Sequence, residues 1–141
     1  MFSNFDASLK AILAAEGGND DDPADRGGRT SRGITQREYD AWCRLHHTVP
    51  MDVWKISDDT VKAIYFSQYW SPWGDRLPTP IDYLFFDCCV NHGYHQAAKI
   101  LQRALGVTAD GWVGLITYNA AAQVKDIKAF IDRFVAEHKR V

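Results

Sequence analysis

The stretch that most constrains the fold begins at Pro80 and stops at Gly93. Between them Ile81, Leu84, Phe85, Cys88 and Cys89 make an almost unbroken apolar face at helical spacing. Pro80 suits the first turn of such a helix and Gly93 its stop. A helix apolar around so much of its circumference must be covered on several sides, so the chain has to wrap other elements around it. Asp87 and Asn91, four residues apart, are polar positions at the edge of that face.

The remaining periodicity supplies helices as the cover. Ser3 is a plausible N-cap for a first helix running to about Glu16, with Phe5, Leu9, Ile12 and Leu13 as its apolar stripe. Thr35-Gln36-Arg37-Glu38 reads as a capping box, with Ile34 and Tyr39 placed for a hydrophobic staple. Tyr39, Trp42, Cys43 and His46 are the expected buried face of that helix. Ser57 caps a third, carrying Val61, Ile64, Tyr65, Gln68 and Tyr69 and ended by Pro72. Helices are also predicted over Gln96–Leu105, Trp112–Ala122 and Ile127–Val135, the last with Phe130, Ile131 and Phe134 facing inward. The exception is the run from Asn19 to Gly33, rich in Gly, Asp and Arg, which cannot make core and belongs on the surface. Gly27-Gly28 and Gly33 permit a short two- or three-stranded turn structure within it. The fold class is therefore mainly all-α, with at most a small β-turn or hairpin element.

Bulk properties narrow the functions. A chain of 141 residues with 46% apolar and 24% charged residues is one ordinary globular domain. Its net charge of -2 lacks the basic footprint of a nucleic-acid binder, and no apolar run reaches the ~18 residues of a membrane span. The start, Met1-Phe2-Ser3-Asn4, has neither a basic nor an apolar signal region, so a cytoplasmic location is expected. Cys43, Cys88 and Cys89 are odd in number and two are adjacent; they read as small buried hydrophobes rather than a disulfide framework.

One carboxylate stands in an unusual place. Glu16 falls on the first helix's apolar stripe and is its last residue, because Gly17 and Gly18 end the helix. Partial burial and the negative end of the helix dipole both disfavour its ionised form, which is how a carboxyl stays protonated to act as a general acid. Asp25 follows nine residues later in a polar loop beside Arg26 and glycine amides, and Thr30 five after that. Two carboxyls, one kept neutral and one ionised, are the equipment of glycoside hydrolysis.

Other constellations fall short. The acidic run Asn19-Asp20-Asp21-Asp22 fails as a calcium loop, since Pro23 occupies a ligand position and position twelve is Thr30. His46-His47 and His92-x-x-His95 lack a third ligand, so no metal and no cofactor is assigned. Arg37 and Arg44 are too little charge for a DNA-reading helix. In the cluster Tyr65, Phe66, Tyr69, Trp70 and Trp73, core packing is the main expectation, with Trp70 or Trp73 as candidate sugar-stacking platforms.

The run Glu16-Gly17-Gly18, Asp22-Pro23, Asp25-x-Gly27-Gly28, Thr30, Gly33-Ile34-Thr35 resembles the glycoside hydrolase family 108 muramidases, lysozyme-like endolysins of phages and prophages. The resemblance continues through Tyr69-Trp70, Asp87-x-x-Val90-Asn91-x-Gly93, Leu101-Gln102-Arg103-Ala104-Leu105-Gly106 and Asp110-Gly111-x-x-Gly114-x-x-Thr117. It implies a single lysozyme-like domain over residues 1–141, with residues 1–78 as the catalytic half and 79–141 as a peptidoglycan-binding-like half. It implies an N-acetylmuramidase that cuts the β-1,4 bond between N-acetylmuramic acid and N-acetylglucosamine. Glu16 would be the general acid, Asp25 the supporting carboxylate and Thr30 the water-holding hydroxyl, with Tyr69, Asp87 and Asn91 lining the cleft. The implied partner is the glycan strand of peptidoglycan, with no nucleic acid and no membrane insertion, the enzyme waiting in the host cytoplasm until release to the wall or periplasm. Relatives usually run a few tens of residues further, so an open face at Phe130 and Phe134 and a weak homodimer are expected.

Overall fold

The computed structural model describes residues 4–16, 18–20 and 28–140, without the side chains of Glu16 and Asp20. It is a mainly helical, lysozyme-like fold. The elements run α1 (Phe5–Glu16), β1 (Asn19–Asp20), β2 (Thr30–Ser31), β3 (Ile34–Thr35), α2 (Gln36–Leu45), α3 (Asp58–Tyr65), α4 (Ile81–His92), α5 (Tyr94–Leu105), α6 (Leu115–Ala122) and α7 (Ile127–Lys139). They fall into two compact units, residues 6–68 and residues 69–141 with the first five.

In the N-terminal unit α1 buries Leu9 and Ile12, and Ser8 beside them, as its stripe requires. The three strands form one antiparallel sheet in the order β1-β2-β3, with Asp20 opposite Thr30 and Ser31 opposite Ile34. Arg32 and Gly33 make the two-residue turn between β2 and β3, with φ of 50° and 82°. Positive φ at both positions gives the turn whose twist matches a hairpin, and Gly33 adopts it without a steric cost. Arg32 does so under strong anchorage. Its guanidinium donates to Asp58 Oδ1 (2.6 Å), the Ile56 carbonyl (2.8 Å) and Ser31 Oγ (3.1 Å). Its own carbonyl accepts from the buried Tyr65 hydroxyl at 2.6 Å.

Thr35 caps the helix as expected: its Oγ1 accepts from the Glu38 amide at 3.1 Å and donates to Glu38 Oε1 at 3.2 Å, and Ile34 and Tyr39 are both buried. Of the face expected to be buried on α2, Tyr39 and Cys43 are covered, Trp42 is half-buried and His46 is exposed. His46 has already left the helix as its C-cap, stacked on Trp42 with Nδ1 donating to the Trp42 carbonyl. Ser57 caps α3 through the Thr60 amide. That helix does not continue regularly to Pro72, because Phe66–Trp70 form a π-helical turn.

The C-terminal unit is built on α4 as the sequence requires. Ile81, Phe85, Phe86, Cys88 and Cys89 are buried together with Ala97, Ala98, Ile100, Leu101 and Ala104 of α5 and Phe130 and Phe134 of α7. The small side chains at 97, 98 and 104 let helices approach closely without leaving voids. Phe5, the first residue of α1, belongs here too: its ring packs on Trp70 and Phe86 at 5.6 and 5.8 Å.

Two expectations fail in this unit. Phe130 and Phe134 are 0% and 2% exposed, so among the described residues these two rings form no open face of the kind expected for self-association. The helix expected from Trp112 starts only at Leu115. Side chains of α5 claim the backbone ahead of it: Gln102 Oε1 accepts from the Gly111 amide (3.0 Å), Gln102 Nε2 donates to the Trp112 carbonyl (2.9 Å), and the Tyr94 hydroxyl accepts from the Val113 amide (2.7 Å). These groups are then unavailable to a helix ladder.

Candidate active site

The chain places Glu16 where its sequence suggests, as the last residue of α1. Its side chain lies outside the described residues, and Asp25 does so altogether. What the structure does describe is the frame that follows Glu16. The Gly18 carbonyl accepts from the Arg32 amide at 3.1 Å, and β1 then pairs with β2, which carries Thr30. The sheet thus returns Thr30 to the strand neighbouring the end of α1.

Thr30 is half-buried and its backbone is fixed from two sides. It pairs with Asp20 on β1 and Thr35 on β3, and its carbonyl accepts from the Trp54 indole at 3.1 Å. The Arg29 guanidinium lies 3.9 Å over the Trp54 ring and makes an ion pair with Asp52 at 2.5 Å. Gln36 completes the support: its amide oxygen accepts from the Val53 amide (2.7 Å) and its nitrogen donates to the Met51 carbonyl (2.8 Å). Together these contacts hold the backbone around Thr30 rigid. Sequence reading gave Arg29, Asp52 and Trp54 no role, because a planar cation over an indole is a tertiary pairing with no fixed sequence spacing.

The three expected substrate-binding residues lie in the other unit. Tyr69 is half-buried in the π-helical turn and packs against the core. Asp87 is half-buried on α4 and Asn91 is exposed one turn later, with Asn91 Nδ2 donating to the Asp87 carbonyl at 3.0 Å. Trp70 is corrected as a sugar platform: it is 1% exposed, and its indole donates to Asp75 Oδ1. Trp73 is half-buried and stacked on Tyr94 at 4.3 Å. The freely presented indole is Trp112, 64% exposed, which the expected helix had obscured.

Elsewhere the chemistry is structural. Burial pushes the Cys88 thiol up to about 12, with the Asp87 charge adding to it, and raises Cys89 as well, so neither is a nucleophile near neutrality. Asp110 is held below the usual carboxylate range by the Trp112 amide and then by Gln102. That pair, with Thr117, forms the network around the buried Gln102, so Gln102, Asp110, Gly111 and Thr117 are a loop-fixing hydrogen-bond set. A groove of about 410 Å³ lies between α1 and α3, lined by Asp6, Leu9, Lys10, Leu13 and Lys62 among others, and contains none of the candidate residues.

A family model described as glycosyl hydrolase 108 matches residues 9–93, more than half of the chain. Among solved structures, the chain is similar to SagA of Brucella abortus, at 28% identity and a TM-score of 0.79 over 96% of this chain and 77% of that one. No curated protein sequence matches it. Since the family match runs from α1 to the end of α4 and encloses Glu16, Asp25, Thr30, Tyr69, Asp87 and Asn91, the chain belongs to the glycosyl hydrolase 108 family, enzymes whose chemistry is the breaking of glycosidic bonds.

Proposed function

We propose that this protein is an N-acetylmuramidase that hydrolyses the β-1,4 bond between N-acetylmuramic acid and N-acetylglucosamine in bacterial peptidoglycan. The observation that carries the reading is the end of α1 at Glu16, inside the family match and followed at once by the sheet that holds Thr30. In this reading Glu16 protonates the leaving glycosidic oxygen, which needs a carboxyl kept neutral by its surroundings. Asp25 supports the positive charge that develops on the sugar ring or orients water, and Thr30 holds that water. Tyr69, Asp87, Asn91 and the exposed Trp112 contact the glycan. The biological role we assign is that of an endolysin, held in the host cytoplasm until it is released to the wall.

Glu16→Gln is the deciding variant. Gln keeps the length and the hydrogen-bonding head but has no proton to give, so fold and wall affinity survive while release of reducing ends from purified peptidoglycan slows by roughly 10²–10⁴. Equal release by both proteins would remove Glu16 from the chemistry, and no release by either would favour a peptidoglycan-binding module without catalysis. Asp25→Asn is expected to lower turnover more than binding, and Thr30→Ala to cost roughly tenfold.

A further inference from the structure

We propose that Cys88, His92 and His138 form a zinc site that clamps the end of α7 onto α4. One ligand atom from each of the three residues lies within 4.8 Å of the other two. A tetrahedral zinc ion, with bonds of about 2.0–2.3 Å, sets its ligands roughly 3.3–3.6 Å apart, so closing the site takes shifts on the order of 1 Å.

The placement follows from the fold. Cys88 and His92 are four residues apart on α4 and so share one face of it, one step round from Asp87 and Asn91. His138 comes from the last turn of α7, which the burial of Phe130 and Phe134 fixes in the same core. The His92 and His138 rings meet edge to face with centroids 4.6 Å apart.

A second observation points to a ligand. His92 Nε2 is buried and has no hydrogen-bond partner among the described residues. Buried ring nitrogens are ordinarily paired, since leaving one unpaired destabilises the fold. A metal ion is a partner that such a nitrogen, a thiol and a second imidazole have in common. One sulfur and two nitrogens favour zinc over calcium or magnesium, which need oxygen ligands. Three protein ligands leave the fourth position to water. On binding, the Cys88 S–H bond breaks and a zinc–sulfur bond forms; the proton passes to solvent, and both imidazoles bind neutral through a ring lone pair. His95, which with His92 received no metal assignment from sequence, is engaged elsewhere: its Nδ1 donates to the Gly111 carbonyl and its ring meets Trp112.

The test uses the full chain stripped of metal with a chelator and titrated with Co²⁺, then Zn²⁺. One equivalent of Co²⁺ is expected to give a thiolate-to-cobalt charge-transfer band in the near ultraviolet and visible bands of tetrahedral intensity, both removed by one equivalent of Zn²⁺. Zn²⁺ at about a hundred times its dissociation constant should raise Tm by about 5–10 °C. His138→Ala, at a half-buried position, should abolish the bands and the rise, as should Cys88→Ala, while Cys89→Ala keeps them. Absence of the charge-transfer band, its persistence in His138→Ala, or its loss in Cys89→Ala alone would overturn the proposal.

Discussion

Residues 6–68 and residues 69–141 reach a folded state by different means. The first unit buries Leu9, Ile12, Ile34, Tyr39, Cys43, Val53, Ile56, Val61, Ile64 and Tyr65, but its short strands and turns are fixed by discrete polar contacts, above all those of Arg32, Gln36 and Trp54. The second is dominated by continuous apolar packing among α4, α5 and α7, with Gln102 as its main buried polar group. The difference bears on function. A unit pinned at a few hydrogen-bonded positions tolerates change between those positions, whereas a continuous core tolerates little insertion.

The sharpest way to break that contrast is to overpack the second unit. Gly74 is buried, and a Cβ built there would sit 2.1 Å from a ring carbon of Trp70. Trp70 cannot retreat, because Phe5 and Phe86 pack on its ring and Asp75 holds its indole. Gly74→Ala is therefore expected to cost about 3 kcal/mol or more in denaturant unfolding. Hydrogen exchange should show the loss in α4 and α5 more than in the sheet. A cost under about 1 kcal/mol would mean that the second core is softer than its burial implies.

The matching experiment in the first unit is Arg32→Ala. It removes donors to the Ile56 carbonyl and to Ser31, which is itself 0% exposed, and should cost about 2 kcal/mol. The Asp58 pair adds little, since that carboxylate is almost fully exposed. Arg32 also sits at φ 50°, so Arg32→Gly should be less damaging than Arg32→Ala by about 1 kcal/mol. Equal losses would show that the turn is not strained and that the side chain alone fixes it.

Alkali should separate the units more gently. The Cys88 thiol has an ordinary value of 9.0 and is pushed up to about 12 by burial, and Cys89 shifts the same way. Below pH 9 both folded and unfolded chains keep their thiol protons and stability is undiminished. Above it the unfolded chain loses them first, so stability falls as pH rises towards about 12. In the first unit burial raises Tyr39 from 10.0, so its decline begins about a unit later. Urea midpoints of the metal-free protein from pH 8 to 10.5 should therefore fall less in Cys88→Ala than in the wild type.

Much of this fold was legible because its signals are local. The N-cap at Thr35, the Ser57 cap, the glycine stop at Gly93 and the apolar face of α4 all depend on residues within a turn or two of one another. Glu16 as the end of α1 was legible for the same reason. The π-helical turn at Phe66–Trp70, the late start of α6 and the exposure of His46 were not, since each is decided by a tertiary competitor or by the geometry of a helix end. The buried Gln102 shows the limit well. Its neighbours Asp110, Gly111 and Thr117 stood out in sequence as family-like residues, yet their contacts are those of a structural hub.

The smallest expected effect on stability belongs to Trp112, an exposed residue of the second unit. Its amide donates to Asp110 Oδ1 and its carbonyl accepts from Gln102, both at 2.9 Å, so the backbone is held whatever the side chain. The indole itself is 64% exposed, its ring meeting His95 edge to face at 4.5 Å. Trp112→Ala keeps both backbone bonds and should change unfolding free energy by no more than about 0.5 kcal/mol. An indole held out on a fixed loop is a suitable face for a sugar ring, and its loss should weaken binding to purified peptidoglycan by about fivefold, or about 1 kcal/mol. The maximal rate at saturating wall should stay near that of the wild type, because removing uniform binding raises KM and leaves kcat alone. Unchanged affinity would return the glycan contact to Tyr69, Asp87 and Asn91; a fall in kcat without a change in affinity would make Trp112 part of the chemistry instead.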